Sequence, residues 1–360
     1  MKIIKPTLFV DEQKCKSNIQ AMAEKAKRNN LIFRPHFKTH QSIEIGNWFK
    51  SFGVDKITVS SLEMALYFAD DWKDITVAFP VNVLEIDLIN QLASKIRLNI
   101  LIESLEAIRL LNQEITNQVH FFIKIDIGYH RSGIAPDNTI LIDEILANID
   151  TDKLIFDGFL GHAGHSYKAK SYEEISKIHY NSIETLQPLK KKYTTFYPDL
   201  LLSVGDTPTC SVMNDFTMVD EIRPGNFVFY DLTQTQIGSN KENQIALVMA
   251  CPIVAIHPER NELVVYGGGV HFSKDRLEET SYGTIFGKMV EVSEIGIEQV
   301  VQGVYITSLS QEHGIVTMDS VKLNSYKIGD ILYFLPIHSC MTANAMKEYV
   351  TFNDFIIKRL

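Results

Sequence analysis

The sequence is short of cysteine, of long apolar runs and of positive charge, and each shortage excludes something. Four cysteines, Cys15, Cys210, Cys251 and Cys340, are spread over 360 residues, and none forms a CxxC pair. That is no disulfide framework. No apolar run approaches the ~20 residues that a membrane helix needs. The first ten residues lack the apolar core and small-residue cleavage site of a secretion signal. A cytoplasmic protein with reduced thiols and no membrane partner is the expectation. Lys and Arg number 35 against 44 Asp and Glu, a net charge of −9. Nucleic-acid binding needs clustered cations that release counterions from phosphates. Here the densest cluster, Lys190-Lys191-Lys192, closes a helical pattern, where it complements the helix dipole. No nucleic-acid partner is expected. Low-complexity segments, Pro-rich linkers and obvious internal repeats are also missing.

What is present is a large apolar fraction, 45%. At about 100–200 residues per domain, the length fits two domains, or one barrel with a smaller partner. From about residue 20 to about residue 235, short apolar runs alternate with helical patterns. Strands are expected near 57–60, 75–78, 98–102, 121–127, 156–160, 200–204 and 221–230. Helices are expected at 61–69, 83–92, 104–111, 141–147 and 172–190. Strands alternating with helices imply parallel strands joined by right-handed crossovers. Roughly eight such units suit a (β/α)8 barrel, with an open doubly wound sheet as the alternative. After about residue 240 the pattern becomes β-rich, at 245–256, 262–266, 300–308, 314–317 and 331–335. The reading is a barrel over 15–240 and a mostly antiparallel β domain over 241–360. A strand within 1–14, at 7–10, is expected to join the β domain.

Barrels carry their chemistry at the C-terminal ends of strands. Lys38 follows the first apolar run, within Arg34-Pro35-His36-Phe37-Lys38-Thr39-His40. Alone it reads first as a solvated lysine. If buried, its pKa would fall and expose a nucleophilic amine. Two further segments place polar groups after strands. One is Lys124-Ile125-Asp126-Ile127-Gly128-Tyr129-His130-Arg131-Ser132-Gly133, and the other is Gly158-Phe159-Leu160-Gly161-His162-Ala163-Gly164-His165-Ser166-Tyr167. The flanking glycines favour loops there over a metal-binding helix. Ser203-Val204-Gly205-Asp206-Thr207-Pro208-Thr209 and Arg223-Pro224-Gly225-Asn226 suit an anion, because small residues let backbone N–H groups come close. Each also reads as an ordinary turn. Gly267-Gly268-Gly269 reads as a tight β corner with no helix after it. His338 and Cys340 lie two apart on what reads as an extended segment, side chains to one side. Imidazole plus thiolate suits zinc, although two ligands are too few for a structural site.

In this order the segments resemble the fold-type III pyridoxal-phosphate (PLP) enzymes, and within them the D-serine dehydratase and D-threonine aldolase group. The resemblance runs from about Pro35 to Cys340. It implies an alanine racemase-like barrel with a C-terminal β domain carrying a metal pair. It implies Lys38 as the Schiff-base lysine and Arg131 near the phenolic oxygen of PLP. His165 and Tyr167 would line the ring or the substrate as catalytic neighbours. Gly205, Asp206 and Thr207 would hold the phosphate with Gly225 and Asn226, and Arg223 would face the pyridine nitrogen. His338 and Cys340 would hold zinc or another divalent metal such as manganese. The implied activity is a metal-assisted lyase on D-3-hydroxy amino acids, of dehydratase or aldolase type. A homodimer is implied as well. The competing readings are a PLP amino-acid racemase and a non-catalytic PLP carrier. A racemase needs a second base, and no tyrosine of the β domain is identifiable as one. Carriers of this fold type are usually a barrel alone.

Overall fold

In the computed structural model, which describes residues 1–279 and 282–360, the chain forms two units. One comprises 20–225, and the other comprises 1–19 with 226–360.

The unit of residues 20–225 is built on eight parallel strands. In spatial order they are Ile32–Phe33, Glu221–Ile222, Leu201–Val204, Leu154–Leu160, Val119–Lys124, Arg97–Ile102, Asp74–Pro80 and Ile57–Val59. The ring closes where His36 bridges Thr58, with Thr58 N–H donating to Pro35 O (2.9 Å) and Phe37 N–H to Thr58 O (2.8 Å). Strands buried on both faces read as continuous apolar runs, which is why six of the eight could be located from sequence. Their helices start on serine caps. Ser42, Ser61, Ser104 and Ser171 each accept a backbone N–H three residues on, satisfying one orphan donor of the first turn. Inside the ring, Leu101, Phe122 and Leu160 pack with Ala78 and Leu201 into an apolar layer.

Two expectations change here. The expected strand 221–230 stops at Ile222, since Asn226–Val228 is a 3-10 turn. The barrel therefore ends at Gly225 rather than near 240. From Asn226 onward the hydrogen bonds go to Asn18, Asp231, Ser339 and Cys340, all in the other unit.

That unit carries a nine-stranded sheet. Its order is Glu262–Tyr266, His313–Thr317, Gly296–Leu309, Gly287–Ser293, Ile331–Pro336, Leu247–His257, Thr7–Val10, Glu348–Thr351 and Ile356–Lys358. Glu262–Tyr266 also pairs with Leu247–His257, so six strands close on themselves. Thr7–Val10 joins it as expected, antiparallel to 247–250 and parallel to Glu348–Thr351. A short helix, Gly269–Phe272, opens on the last of the three glycines. Among the described residues, no helix is long and apolar enough to cross a membrane.

Candidate active site

The C-terminal ends of the parallel strands surround a cavity of about 320 Å³. Each strand end but one lines it directly. His36 and Lys38 follow the first strand, Ser60 the second, and Ala78, Phe79 and Pro80 end the third. Leu101, Lys124 and Leu160 come from the next three ends, His162 follows Leu160, and Arg223 follows Ile222. Leu201–Val204 contributes through Gly205, whose carbonyl accepts from His162 Nδ1 at 2.5 Å. The lining holds four cationic side chains, Lys38, Lys124, Arg131 and Arg223, and among the described residues no carboxylate. Such a set favours an anionic ligand.

Lys38 is held by its neighbour rather than by its own burial. Phe37 is fully buried, with ring centroids of His40, Phe49, Phe68 and Trp72 at 4.3–5.2 Å. That anchor, together with His36 N–H donating to Pro224 O (2.9 Å), fixes the strap on both sides. Lys38 itself is exposed. Arg131 is presented by a turn that Asp126 organises. Asp126 Oδ1 accepts from Gly128 and His130 N–H at 3.0 Å, and Oδ2 meets His130 Nδ1 at 2.8 Å. The Arg131 guanidinium lies 5.0 Å from the Tyr129 ring.

Arg223 ends a buried polar chain. Its Nε donates to Ser203 Oγ (2.6 Å) and its Nη2 to Gly161 O (2.7 Å). Ser203 Oγ donates to Glu221 Oε1 (2.6 Å), whose other oxygen takes Arg34 Nε at 2.6 Å, and Arg34 Nη1 reaches Asp74 at 2.5 Å. Burial pulls Arg223 down to about 10, so it remains a cation at neutral pH.

Of the two histidines in the loop after Leu160, His162 lines the cavity and His165 does not. Burial, with Lys38, Arg223 and Arg131 nearby, pushes His162 down to about 3. It is therefore neutral, and because a carbonyl only accepts, its proton sits on Nδ1. Burial and then Lys38 hold His36 neutral too. His165 lies instead beside Tyr129, with ring centroids 6.3 Å apart, and its buried Nδ1 has no partner. The HxxH spacing gave no means of ranking the two.

Lys124, the last residue of its strand, opens one of the segments singled out from sequence but was given no role there. It is 5% exposed, and its Nζ donates to Ile125 O at 2.9 Å. Burial, then Arg223, lowers its pKa from 10.5 to about 8. Between those values the unfolded chain binds the proton more tightly, so stability rises as pH climbs through them. Below about 8 the buried charge costs on the order of 3 kcal/mol. Lys124→Met in cofactor-free protein is expected to raise the melting temperature at pH 7 by a few degrees. It should also flatten the rise toward pH 10, both readable by thermal scans across pH.

The two anion segments adjoin this cavity through His162 and His36. A Cβ on Gly205 would stand 2.8 Å from the Arg223 backbone, and one on Gly225 would stand 2.9 Å from His36 O. Both positions demand glycine for close approach. Thr207 is fully buried, and its Oγ1 has no partner. Tyr167 lies beside this segment, its hydroxyl accepting from Thr207 N–H at 3.1 Å. Asp206 supplies no side-chain donor. Its carboxylate caps Thr207–Val212, accepting from Thr209 N–H and Oγ1, and takes Ser166 Oγ at 2.7 Å. Asn226 lies outside this unit, with its Nδ2 directed at Asp231, Ser339 and Cys340. An unpartnered buried hydroxyl, close-approach glycines and a carboxylate-free cationic lining fit a phosphorylated aromatic cofactor.

His338 and Cys340 lie in the other unit, not on an extended segment. His338 caps the helix Ser339–Ala345 and Cys340 is in its first turn. Nδ1 of His338 faces Asp275 Oδ2 at 3.3 Å, and the ring also hydrogen-bonds Cys340, so the two candidate donors lie together. Asn226 Nδ2 donates to Cys340 Sγ at 3.5 Å. Among the described residues no group of three or more His, Cys, Asp or Glu is arranged to hold a metal. The pair thus offers one soft and one borderline donor, fitting an ion whose other positions go to water and substrate.

Residues 10–232 match the family described as "Alanine racemase, N-terminal domain", and residues 246–352 that described as "Putative serine dehydratase domain". A D-serine dehydratase of Dictyostelium discoideum is 31% identical over 97% of this chain and 93% of its own. The structure of D-threo-3-hydroxyaspartate dehydratase from Delftia sp. HT23 superposes with a TM-score of 0.91 at 25% identity, covering 99% of this chain and 98% of that one. A cysteine-to-alanine variant of such a dehydratase has been solved in a metal-free form, with a TM-score of 0.91 at 24% identity over 99% and 98% of the two chains. Barrel, cavity and matches together define a fold-type III PLP enzyme. Within that class, the chain belongs to the D-serine dehydratase group, whose members are lyases.

Proposed function

We propose that this chain removes water from a D-3-hydroxy amino acid, D-serine being the simplest, using PLP in the barrel cavity and a divalent metal on His338 and Cys340. The observation that carries this reading is the cavity, where Lys38, Arg131 and Arg223 converge with no carboxylate beside them. Lys38 would hold the cofactor, Arg131 its phenolic oxygen and Arg223 its ring nitrogen. Gly205, Thr207, Gly225 and Tyr167 would hold its phosphate. Once bound, PLP supplies the electron sink for a bond broken at Cα. We assign removal of the α proton to Lys38 Nζ, the amine that a substrate amino group would free from the cofactor. Neutral His36 and His162 shape the cavity without adding charge. Arg223 stays protonated and offers only donors, so it would leave the ring nitrogen without a proton and the sink weak. Departure of the hydroxyl then calls for help, which a Lewis acid gives. Thiolate with imidazole suits zinc better than manganese. The His-x-Cys pair, where aldolases of the group often carry His-x-Asp, supports elimination over aldol cleavage.

Product analysis tests this. D-serine is expected to yield pyruvate and ammonia. Glycine plus an aldehyde from D-threonine would replace elimination by aldol cleavage, and L-alanine from D-alanine would replace it by racemisation. A quieter test is cofactor retention. Thr207→Val removes one charge-assisted hydrogen bond, worth about 1.5–3 kcal/mol, and is expected to weaken PLP affinity roughly tenfold or more. Turnover at saturating PLP should change little. Gly225→Val should weaken affinity further, because its side chain collides with His36 O beside Lys38.

A further inference from the structure

The segment that carries His338 and Cys340 is pinned on both sides of His338 by one short stretch of chain, residues 231–234. Ahead of His338, Ile337 O accepts from Thr233 N–H (3.1 Å) and Thr233 Oγ1 (2.8 Å). Behind it, Asp231 Oδ2 accepts from Ser339 N–H (3.0 Å) and Ser339 Oγ (3.3 Å). Ser339 is the residue between the two donors. The same Oδ2 takes Asn226 Nδ2 at 2.7 Å, and that amide also reaches Ser339 Oγ (3.1 Å) and Cys340 Sγ (3.5 Å). Asp231 Oδ1 accepts from Gln234 N–H at 2.9 Å, capping Leu232–Ile237.

Asp231 and Ser339 are fully buried and Asn226 is 4% exposed. A buried carboxylate is costly unless donors satisfy it. Here four donor groups converge on two oxygens, and three of the four belong to Asn226 and Ser339, which touch or separate the metal pair. A helix cap alone needs only the Gln234 contact. The other three hold the backbone at 339 and the amide beside the Cys340 sulfur.

We propose that Asp231 is a positioning residue for the metal pair, fixing the Ser339 backbone between His338 and Cys340 and, through Asn226, the place of the Cys340 sulfur. The inference rests on the metal reading of His338 and Cys340. Asp231→Asn is the sharp substitution, since it keeps the shape but turns an NH2 toward groups that are themselves donors.

The test uses the PLP-loaded, metal-stripped full chain, titrated with zinc against a chromophoric chelator and separately with cobalt to read the sulfur-to-metal absorption band. Asp231→Asn is expected to weaken zinc binding 10- to 100-fold, the range typical of residues that orient ligands. It should also diminish or shift the cobalt band. Ser339→Ala, which removes the hydroxyl and keeps the backbone bond, should weaken zinc several-fold. His338→Ala should abolish tight binding. Asp319→Ala removes a different helix cap of the same unit and should leave zinc binding and the cobalt band unchanged. If Asp231→Asn and Ser339→Ala both bind zinc like the wild type while His338→Ala does not, the positioning role is overturned and the metal reading stands. If the wild type binds no better than His338→Ala, the metal reading fails and takes this inference with it. Should Asp231→Asn not fold, Ser339→Ala decides.

Discussion

A Lys38→Ala variant is expected to lose the absorbance of lysine-bound PLP and to lose turnover by on the order of 10³-fold or more, because both covalent attachment and the proton acceptor disappear. The fold should not suffer. Lys38 is exposed, while the strap around it is held by the buried Phe37 ring and by backbone bonds to Thr58 and Pro224. Truncating an exposed side chain away from such anchors usually changes stability by no more than about 0.5 kcal/mol. Melting curves of the two proteins should therefore overlay while their spectra diverge. An unchanged spectrum would move the attachment to another amine, and the cavity contains one, Lys124. Its pKa of about 8 leaves much of it neutral near pH 8, so it could compete chemically. Lys38→Ala combined with Lys124→Met separates the two, since only the true attachment site controls the spectrum.

The barrel was legible because its strands are buried on both faces and its helices begin on serine caps, two signals that survive in a single sequence. Ile57–Val59, Asp74–Pro80 and Arg97–Ile102 emerge within a few residues of their expected bounds. The run after Glu221 misled for the same reason that the others succeeded. Phe227, Val228 and Phe229 are fully buried and so look like a strand, yet the first two lie in a 3-10 turn and Phe229 comes directly after it. Apolarity reports burial, not conformation. The β domain was harder. Glu348–Thr351 and Ile356–Lys358 are short, and Gly287–Ser293 alternates polar and apolar residues too weakly to stand out.

Within the site, motif order located Lys38, Arg131 and Arg223, which do line one cavity. Roles that depend on which way a side chain turns were beyond reach. Sequence could not choose between His162 and His165 three residues apart. Nor could it tell that Asp206 commits its carboxylate to Thr209 and Ser166, or that Asn226 turns toward Cys340. Lys124 stood at the head of a singled-out segment without a role, because only the closed ring shows that it is buried.

Metal removal is expected to separate cofactor binding from turnover. Lys38, Arg131, Tyr167, Gly205, Thr207, Arg223 and Gly225 lie within 20–225, whereas His338 and Cys340 lie within 226–360. A chelator should thus leave the lysine-bound PLP spectrum intact while elimination from D-serine falls by on the order of 10³-fold, the several kcal/mol that a Lewis acid supplies to a departing hydroxide. Exchange of the α proton needs the cofactor and a base but no leaving group, so it should survive in solvent deuterium. His338→Ala and Cys340→Ala should reproduce the same division without a chelator. Cys340→Asp should restore part of the activity with manganese, because a carboxylate suits that harder ion better than a thiolate does. The decisive record pairs metal content with spectrum and product on the same sample. Full lyase activity after confirmed metal loss would falsify the metal-assisted reading. The hydroxyl would then leave without a Lewis acid, and His338 and Cys340 would have no part in the elimination.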